Sequence, residues 1–191
     1  MVSFPSSGAM DAAAGGRGPG TTVLPLLIGG DAQQILTHLT QLLTHVQTIT
    51  GLIGKVSGAQ TALRQAWPVG AASDGAAQKL KTVVDLFQQM TTLVSTLQGQ
   101  TQAAAAVVTM TQQSYAAMVG ATNPTVAALL SQPHGHPAAR ALSLSTTGSL
   151  ASAVQAGRTQ LDVIGLTRIA AVTAQLIQIA DQLRTLLRQT D

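Results

Sequence analysis

The strongest constraint on this chain is a run of apolar residues whose spacing alternates between four and three from position 35 to position 67. This heptad spacing is typical of a coiled-coil helix. Pro68 follows directly, and a proline drives the residue before it out of helical geometry. The pattern predicts one helix of roughly 35 residues, about 50 Å long at ~1.5 Å rise per residue, which ends before Pro68. The run consists of Ile35, Leu39, Leu42, Val46, Ile49, Ile53, Val56, Gln60, Leu63 and Trp67.

A second run with the same spacing extends from Leu80 to Met118. Only a short Gly/Ala/Ser-rich stretch after Trp67 separates the two runs. Two long helices joined in this way pack as an antiparallel hairpin at the shallow angle of coiled-coil packing. The second run consists of Leu80, Val83, Phe87, Met90, Val94, Leu97, Thr101, Ala104, Val108, Thr111, Tyr115 and Met118.

Both predicted helices carry further apolar residues beside the heptad run. A two-helix unit buries only one stripe on each helix, so this wider face predicts another layer. That layer is either the rest of this chain or another helical hairpin protein, which would make a homo- or hetero-oligomer. The predicted partner interface consists of Leu36, Leu43, Leu52, Val84, Leu86, Leu93 and Leu97.

Turn-forming residues divide the chain into four parts. Residues 1–30 are predicted to be a flexible N-terminal tail, and residues 31–120 form the hairpin. Residues 121–148 are predicted to be a Pro/Gly/Ser-rich linker with one short helix, which Asn123 and Pro124 begin. Residues 149–191 form a C-terminal helix with a kink or stutter near Gly165. The predicted fold class is all-α, a long antiparallel hairpin packed with the C-terminal helix as a three- to four-helix bundle.

Composition supports this fold and argues against several functions. Hydrophobic residues make up 46% of the chain but aromatic residues only 2%, which suits helix packing better than a β-sandwich. The net charge is +3 and the basic residues are scattered, so no basic patch for nucleic acid is expected. No cysteine is present, which removes disulfides and thiol chemistry. The N-terminus lacks the basic and continuous apolar regions of a secretory signal.

No pattern points to a catalytic, metal or cofactor site. His38 and His45 lie seven residues apart, and His134 and His136 share a loop-like stretch, but neither pair has the carboxylate or thiol ligands that complete a metal shell. The serines lack the context of a nucleophile turn. The sequence therefore predicts a protein that is not an enzyme and uses no cofactor.

Polar residues at heptad positions offer a different interpretation. Gln60, Thr101 and Thr111 interrupt the apolar runs, and buried polar groups can fix helix register or partner choice. The alternative is that they face water or small neighbours.

The stretch LRQAWPVGAASDGAAQKLKTVVDLFQQMTTLVSTLQGQTQAAAAVV, and with it residues 33–118, resembles the WXG-type (ESAT-six-like) proteins of type VII secretion. The resemblance implies a hairpin that pairs side by side into a four-helix bundle, is exported folded, and is not an enzyme. It places Trp67 and Gly70 at the turn. The spacing Trp-Pro-Val-Gly is one residue longer than the Trp-x-Gly of the family. The export signal of the family, Tyr followed four residues later by Asp or Glu, falls on Tyr115 and Val119.

The resemblance implies a function in type VII secretion through protein association, as secreted substrate, partner or effector. The protein would then be secreted or at the cell surface by a route independent of a signal peptide. One alternative is a cytoplasmic adaptor or chaperone that binds a partner helix in an open groove. Another is membrane association through residues 161–187, although Arg168 and several Gln and Thr residues argue against a spanning helix there.

Overall fold

The computed structural model describes residues 3–29, 32–68 and 70–188. Within these ranges the regular structure is helical throughout and no strand occurs, which confirms the all-α fold class. The helices are α1 (Gly8–Ala13), α2 (Pro19–Thr22), α3 (Leu24–Ile28), α4 (Ala32–Ala66), α5 (Ala71–Leu130), α6 (His136–Asp162) and α7 (Ala170–Arg188), with a π-helical segment, Val163–Ile169, between α6 and α7.

The chain divides into two compact units. The first unit comprises Met1–Leu36 and Gln102–Ile164, and the second comprises Thr37–Thr101 and Gly165–Asp191. Helix α5 contributes to both.

The core of the first unit includes residues that the sequence placed in a flexible tail, so that prediction was wrong. Helices α1 and α2 pack on α6. Met10, Val23 and Leu27 are buried in one cluster with apolar residues of α5 and α6. The apolar run around Pro25 is too short for a signal sequence, but it supplies the side chains that close this core. The cluster consists of Met10, Val23, Leu27, Tyr115, Val119, Val126, Ala139, Leu150 and Val154.

Asp11 organises the glycine-rich stretch that the sequence suggested to be mobile. Its carboxylate accepts hydrogen bonds from the Ser7 hydroxyl at 2.7 Å and from the backbone N–H groups of Gly20 and Thr21 at 3.1 and 3.4 Å. A Cβ atom at Gly18 or Gly20 would collide with Asp11, so the absent side chains allow the chain to approach this carboxylate closely. These glycines serve close packing.

The predicted linker, residues 121–148, is also mostly helical, which corrects that boundary. Helix α5 continues through Pro124 to Leu130. Pro124 cannot donate to the carbonyl of Gly120, but Gly120 is exposed, so water can reach that carbonyl. The side chain of Asn123 does not cap a new helix and instead accepts a hydrogen bond from the backbone N–H of Met10 at 3.2 Å.

Helix α6 begins at His136, thirteen residues before the predicted start at position 149. Pro137 occupies the first turn, where a missing N–H does no harm. Hydroxyl groups in this Ser/Thr-rich stretch donate to backbone carbonyls four residues earlier, as Thr147 does to Ser143 and Ser149 to Ser145. The predicted irregularity near Gly165 is confirmed and takes the form of the π-helical segment.

In the second unit, the last turns of α4 contact the first turns of α5. Gln60 donates a hydrogen bond from its side-chain amide to the carbonyl of Ala77 at 3.2 Å, so this interruption of the heptad run fixes the register of the two helices. Among the side chains that the structure describes in this unit, the buried ones lie on α5 and α7 and include Leu86, Val94, Val172 and Ile179. Helix α7 thus contributes buried side chains to this unit. The side chains of Ile35, Leu39, Leu42 and Val46 and the predicted cap Asp31 lie outside the described residues.

The contact between α5 and α6 in the first unit yields a prediction. A Cβ atom at Gly157 would lie 2.8 Å from the Thr111 hydroxyl oxygen, whereas a Cβ at Gly148 on the same helix meets nothing within 4 Å. Gly148→Ala should stabilise the protein by about 1 kcal/mol because alanine favours the helix. Gly157→Ala should lose that gain and be about 1–3 kcal/mol less stable than Gly148→Ala, since the helices must move apart. Urea unfolding of the two variants tests this, and equal stabilisation would contradict the close approach.

Candidate functional site

The turn after α4 has a defined geometry. The backbone N–H of Trp67 donates to Leu63 at 2.8 Å, which is the last hydrogen bond of the helix. The hydroxyl of Ser73, a buried residue, donates to the carbonyl of Trp67 at 2.5 Å, and the backbone N–H of Asp74 donates to Gly70 at 3.0 Å. The turn is therefore held from both ends. Val69 lies outside the described residues.

Gly70 adopts a backbone conformation that favours glycine. Its φ angle is +133°, in a region that residues with a Cβ atom rarely occupy. The resemblance placed a glycine at this turn, and the backbone geometry supplies a physical reason for it. Ser73, which the heptad pattern did not single out, locks the turn. A serine in a small-residue stretch just before a heptad run is a common helix cap, and that was its signal in the sequence.

Trp67 is 51% exposed, so its indole is not buried at the turn. Leu52 on the same helix is 41% exposed. The two residues lie fifteen positions apart, which places them about 22 Å apart along α4 and within about 60° of one another around it. The turn end of α4 therefore presents a large aromatic side chain and an aliphatic one to solvent.

The other members of the predicted partner interface lie in different environments. Val84, Leu93 and Leu97 are half-buried and Leu86 is buried within the second unit. The side chains of Leu36 and Leu43 lie outside the described residues. Among the described members, Leu52 is thus the most accessible.

A trough lies between α5 and α7 within the second unit, with a volume of about 700 Å³. Leu93 and Ile179 provide apolar surface, and glutamine side chains dominate the rest of the lining. Asp85, at its edge, forms an ion pair with Lys81 at 2.7 Å. The trough could hold apolar side chains between amide groups. Its glutamines are Gln88, Gln89, Gln175, Gln178 and Gln182.

Tyr115 and Val119, the two positions of the predicted export signal, are both fully buried in the core of the first unit. The Tyr115 ring packs edge-on against Phe4, with ring centroids 5.6 Å apart. Its hydroxyl has no hydrogen-bond partner within the described part of the chain. Burial raises the pKa of this phenol above its ordinary value. The Ser7 side chain lowers the pKa, and the negative charge of Asp11 raises it.

The histidines are not brought together with other ligating groups. His134 and His136 are exposed, and the side chains of His38 and His45 lie outside the described residues. Across residues 3–29, 32–68 and 70–188, no three His, Cys, Asp or Glu side chains form a group that could hold a metal ion. Thr101 and Thr111 donate to carbonyls of their own helix, those of Leu97 and Val107, at 2.8 Å each.

One helical stretch, His136–Leu186, is long and apolar enough to cross a membrane by length and composition. Its most apolar window has a mean hydropathy of 1.5, and 18% of that window is buried. The segment includes the stretch around Arg168 that the sequence analysis set aside on account of its polar residues.

Comparisons with known proteins add no relative. No family model, no curated protein and no solved structure matches the chain.

The Gly70 geometry leads to a prediction about the turn. Gly70→Ala should destabilise the second unit by about 1–3 kcal/mol because its φ angle is unfavourable for alanine, even though nothing lies within 4 Å of the new methyl group. Gly75→Ala is the matched control, since Gly75 is helical and also surrounded by open space, and it should stabilise. Thermal melts of both variants measure the difference. Similar shifts for the two would mean that the turn imposes no strain.

The buried phenol predicts a dependence on pH. Unfolded, Tyr115 titrates near its ordinary pKa of 10.0, whereas in the folded chain its pKa is raised. The folded state therefore holds the proton more strongly, and this stabilisation is complete below pH 10 and is lost as the pH rises through the folded pKa. Tyr115→Phe should remove this component of the pH dependence. Because Tyr115 is the only tyrosine, ultraviolet titration of the phenolate reports it directly, and a midpoint at the ordinary value would contradict its burial.

Proposed function

We propose that this chain is a non-enzymatic helical protein that acts in type VII secretion through protein association, as a secreted substrate, partner or effector. The observation that carries the proposal is the half-exposed Trp67 on a turn of fixed geometry. Trp, Tyr and Arg are enriched among the residues that dominate binding energy at protein interfaces. A tryptophan left half in water at a rigid helix end is a suitable anchor for a partner.

The geometry around Trp67 supports this function in two further ways. Gly70 takes a glycine-type conformation within the Trp-Pro-Val-Gly turn, in keeping with the resemblance to WXG-type hairpins. Leu52 extends the accessible apolar surface along α4 from the turn. Together they give a partner helix two separate apolar contact points, about 22 Å apart along the direction of α4.

The alternative of a cytoplasmic adaptor has one observation in its favour, the trough between α5 and α7. A partner helix could place apolar side chains against Leu93 and Ile179 and hydrogen-bond to the glutamines that line the walls. The two functions differ in location. A secreted partner is found in the culture filtrate, and an adaptor remains in the cell.

The anchor function of Trp67 predicts the outcome of a mutation. Trp67→Ala should weaken binding to a co-expressed helical hairpin partner by about 2–4 kcal/mol, the usual cost of removing a dominant interface residue. It should change the stability of the chain much less, because the side chain is half in water. Light scattering of the purified chain with and without the partner, followed by calorimetric titration, measures both effects.

Met110→Ala is the matched control, because Met110 is 65% exposed but lies in the first unit. It should leave binding unchanged. A chain that stays monomeric with every co-expressed hairpin protein, or that binds equally well with Trp67→Ala and Met110→Ala, would overturn the proposal. Absence from the culture filtrate together with partner binding through the trough would favour the adaptor function.

A further inference from the structure

Residues 4–28, hereafter the N-terminal segment, are seated in a groove between α5 and α6 of the first unit. Met10, Val23 and Leu27 of the segment are buried against apolar residues of both helices. The groove residues in this cluster are Tyr115, Val119, Val126, Ala139, Leu150 and Val154. The structure thus shows directly which chemistry fills this groove: a short, broken helical segment with a methionine at its centre.

In the described part of the chain, hydrogen bonds that attach the segment to the groove join backbone groups of the segment to side chains of the groove. Asn123 accepts from the N–H of Met10 at 3.2 Å, and the buried Ser143 hydroxyl donates to the carbonyl of Met10 at 2.7 Å. Gln112 donates to the carbonyl of Leu27 at 3.4 Å. The groove therefore binds both backbone groups of one residue of the segment, the N–H and the C=O of Met10.

The segment is also organised internally. The hydrogen bonds from Ser7, Gly20 and Thr21 to Asp11 close it on itself and involve no atom of α5 or α6. A unit of this kind can leave a groove and enter another without losing its own hydrogen bonds. Gly29, which follows the segment, is exposed and has nothing within 4 Å of a Cβ position, so the chain can turn freely there.

The fit between segment and groove is incomplete at one point. The hydroxyl of Tyr115 is buried beneath the segment without a hydrogen-bond partner. An unpaired buried hydroxyl loses its interaction with water and gains nothing in return.

We propose that the N-terminal segment is an exchangeable ligand of the groove, and that two copies of this chain pair when each inserts its segment into the groove of the other. The contacts made between copies are the same as those made within one chain, so exchange costs little besides chain entropy. The occupant is a second copy because this segment is the ligand whose complementarity to the groove is visible. This pairing does not involve Trp67 and is independent of the secretion function proposed above.

Binding of the segment, as a separate peptide, to the full-length chain tests the proposal. In the native chain the tethered segment acts at an effective concentration of about 1 mM, so a free peptide of residues 3–29 competes poorly. The full-length Met10→Asp variant carries a segment that cannot enter the apolar site, which leaves its groove open. Calorimetric titration should show the wild-type peptide binding the Met10→Asp chain at least about tenfold more tightly than the native chain.

Two controls define the result. The same peptide carrying Met10→Asp should not bind, and Leu26→Asp, on the 44% exposed face of α3, should leave the native chain closed to the peptide. A Met10→Asp chain that retains its helical circular dichroism but does not bind the peptide would overturn the proposal. So would one that loses its helical signal, since the segment would then be an inseparable part of the core.

Pairing of whole chains is tested by complementation. Met10→Asp has an open groove, and Leu150→Asp has an intact segment but an impaired groove. Each alone should have the mass of a monomer in light scattering, and their mixture should contain a species of twice that mass. Repeating the mixture with Trp67→Ala in both chains should leave this species unchanged. Loss of the species with Trp67→Ala, or its absence from the original mixture, would contradict exchange without affecting the test of the secretion function.

Discussion

The many Ser and Thr residues of the long helices impose a constraint on this chain, because each hydroxyl needs a hydrogen-bond acceptor, and many of them donate to the carbonyl four residues earlier. Such bonds recur along α4, α5, α6 and α7, for example from Thr48 to Thr44, from Thr96 to Thr92 and from Thr173 to Ile169. Hydroxyl side chains otherwise compete with the helix by bonding to the backbone in other conformations. A chain without glutamate and with only 9% charged residues has few ion pairs along its helix surfaces. These bonds keep the hydroxyls paired within their own helices, and burial of the apolar faces stabilises the helices.

Sequence patterns placed the helices correctly in some regions and not in others, because the local signals differ in strength. The heptad run from Ile49 to Leu63 predicted α4 and its end before Pro68, because a proline and a long apolar period are strong local signals. Residues 121–148 lack such a period and contain Pro, Gly and Ser, so they predicted a linker. Local patterns also carry no sign of contacts that are distant in sequence, such as those that Asn123 and Ser143 make with Met10.

The residues of the candidate site were predictable from the sequence to a similar extent. Trp67 and Gly70 could be located from the turn motif, and Gln60 from its interruption of the heptad run. Their properties could not, because exposure and backbone angles depend on what packs nearby: Trp67 is half in water and Gln60 donates to Ala77. The importance of Asp11 left no local signal, since its partners at Gly20 and Thr21 are nine and ten residues away. Tyr115 was singled out as part of an export signal, and its burial under the N-terminal segment followed only from the fold.

By itself the sequence determined the all-α class, because that class follows from side-chain periodicity. It also determined that α4 ends before Pro68, because proline lacks the N–H of a helix. The irregularity near Gly165 followed from a change of apolar phase. The tertiary structure alone decided that residues 4–28 belong to a core, that α5 continues through Pro124 and that α6 begins at His136. The physical reason is the same in each case. Weak local preferences for turns are overcome when apolar side chains are buried and backbone groups find partners more than one hundred residues away.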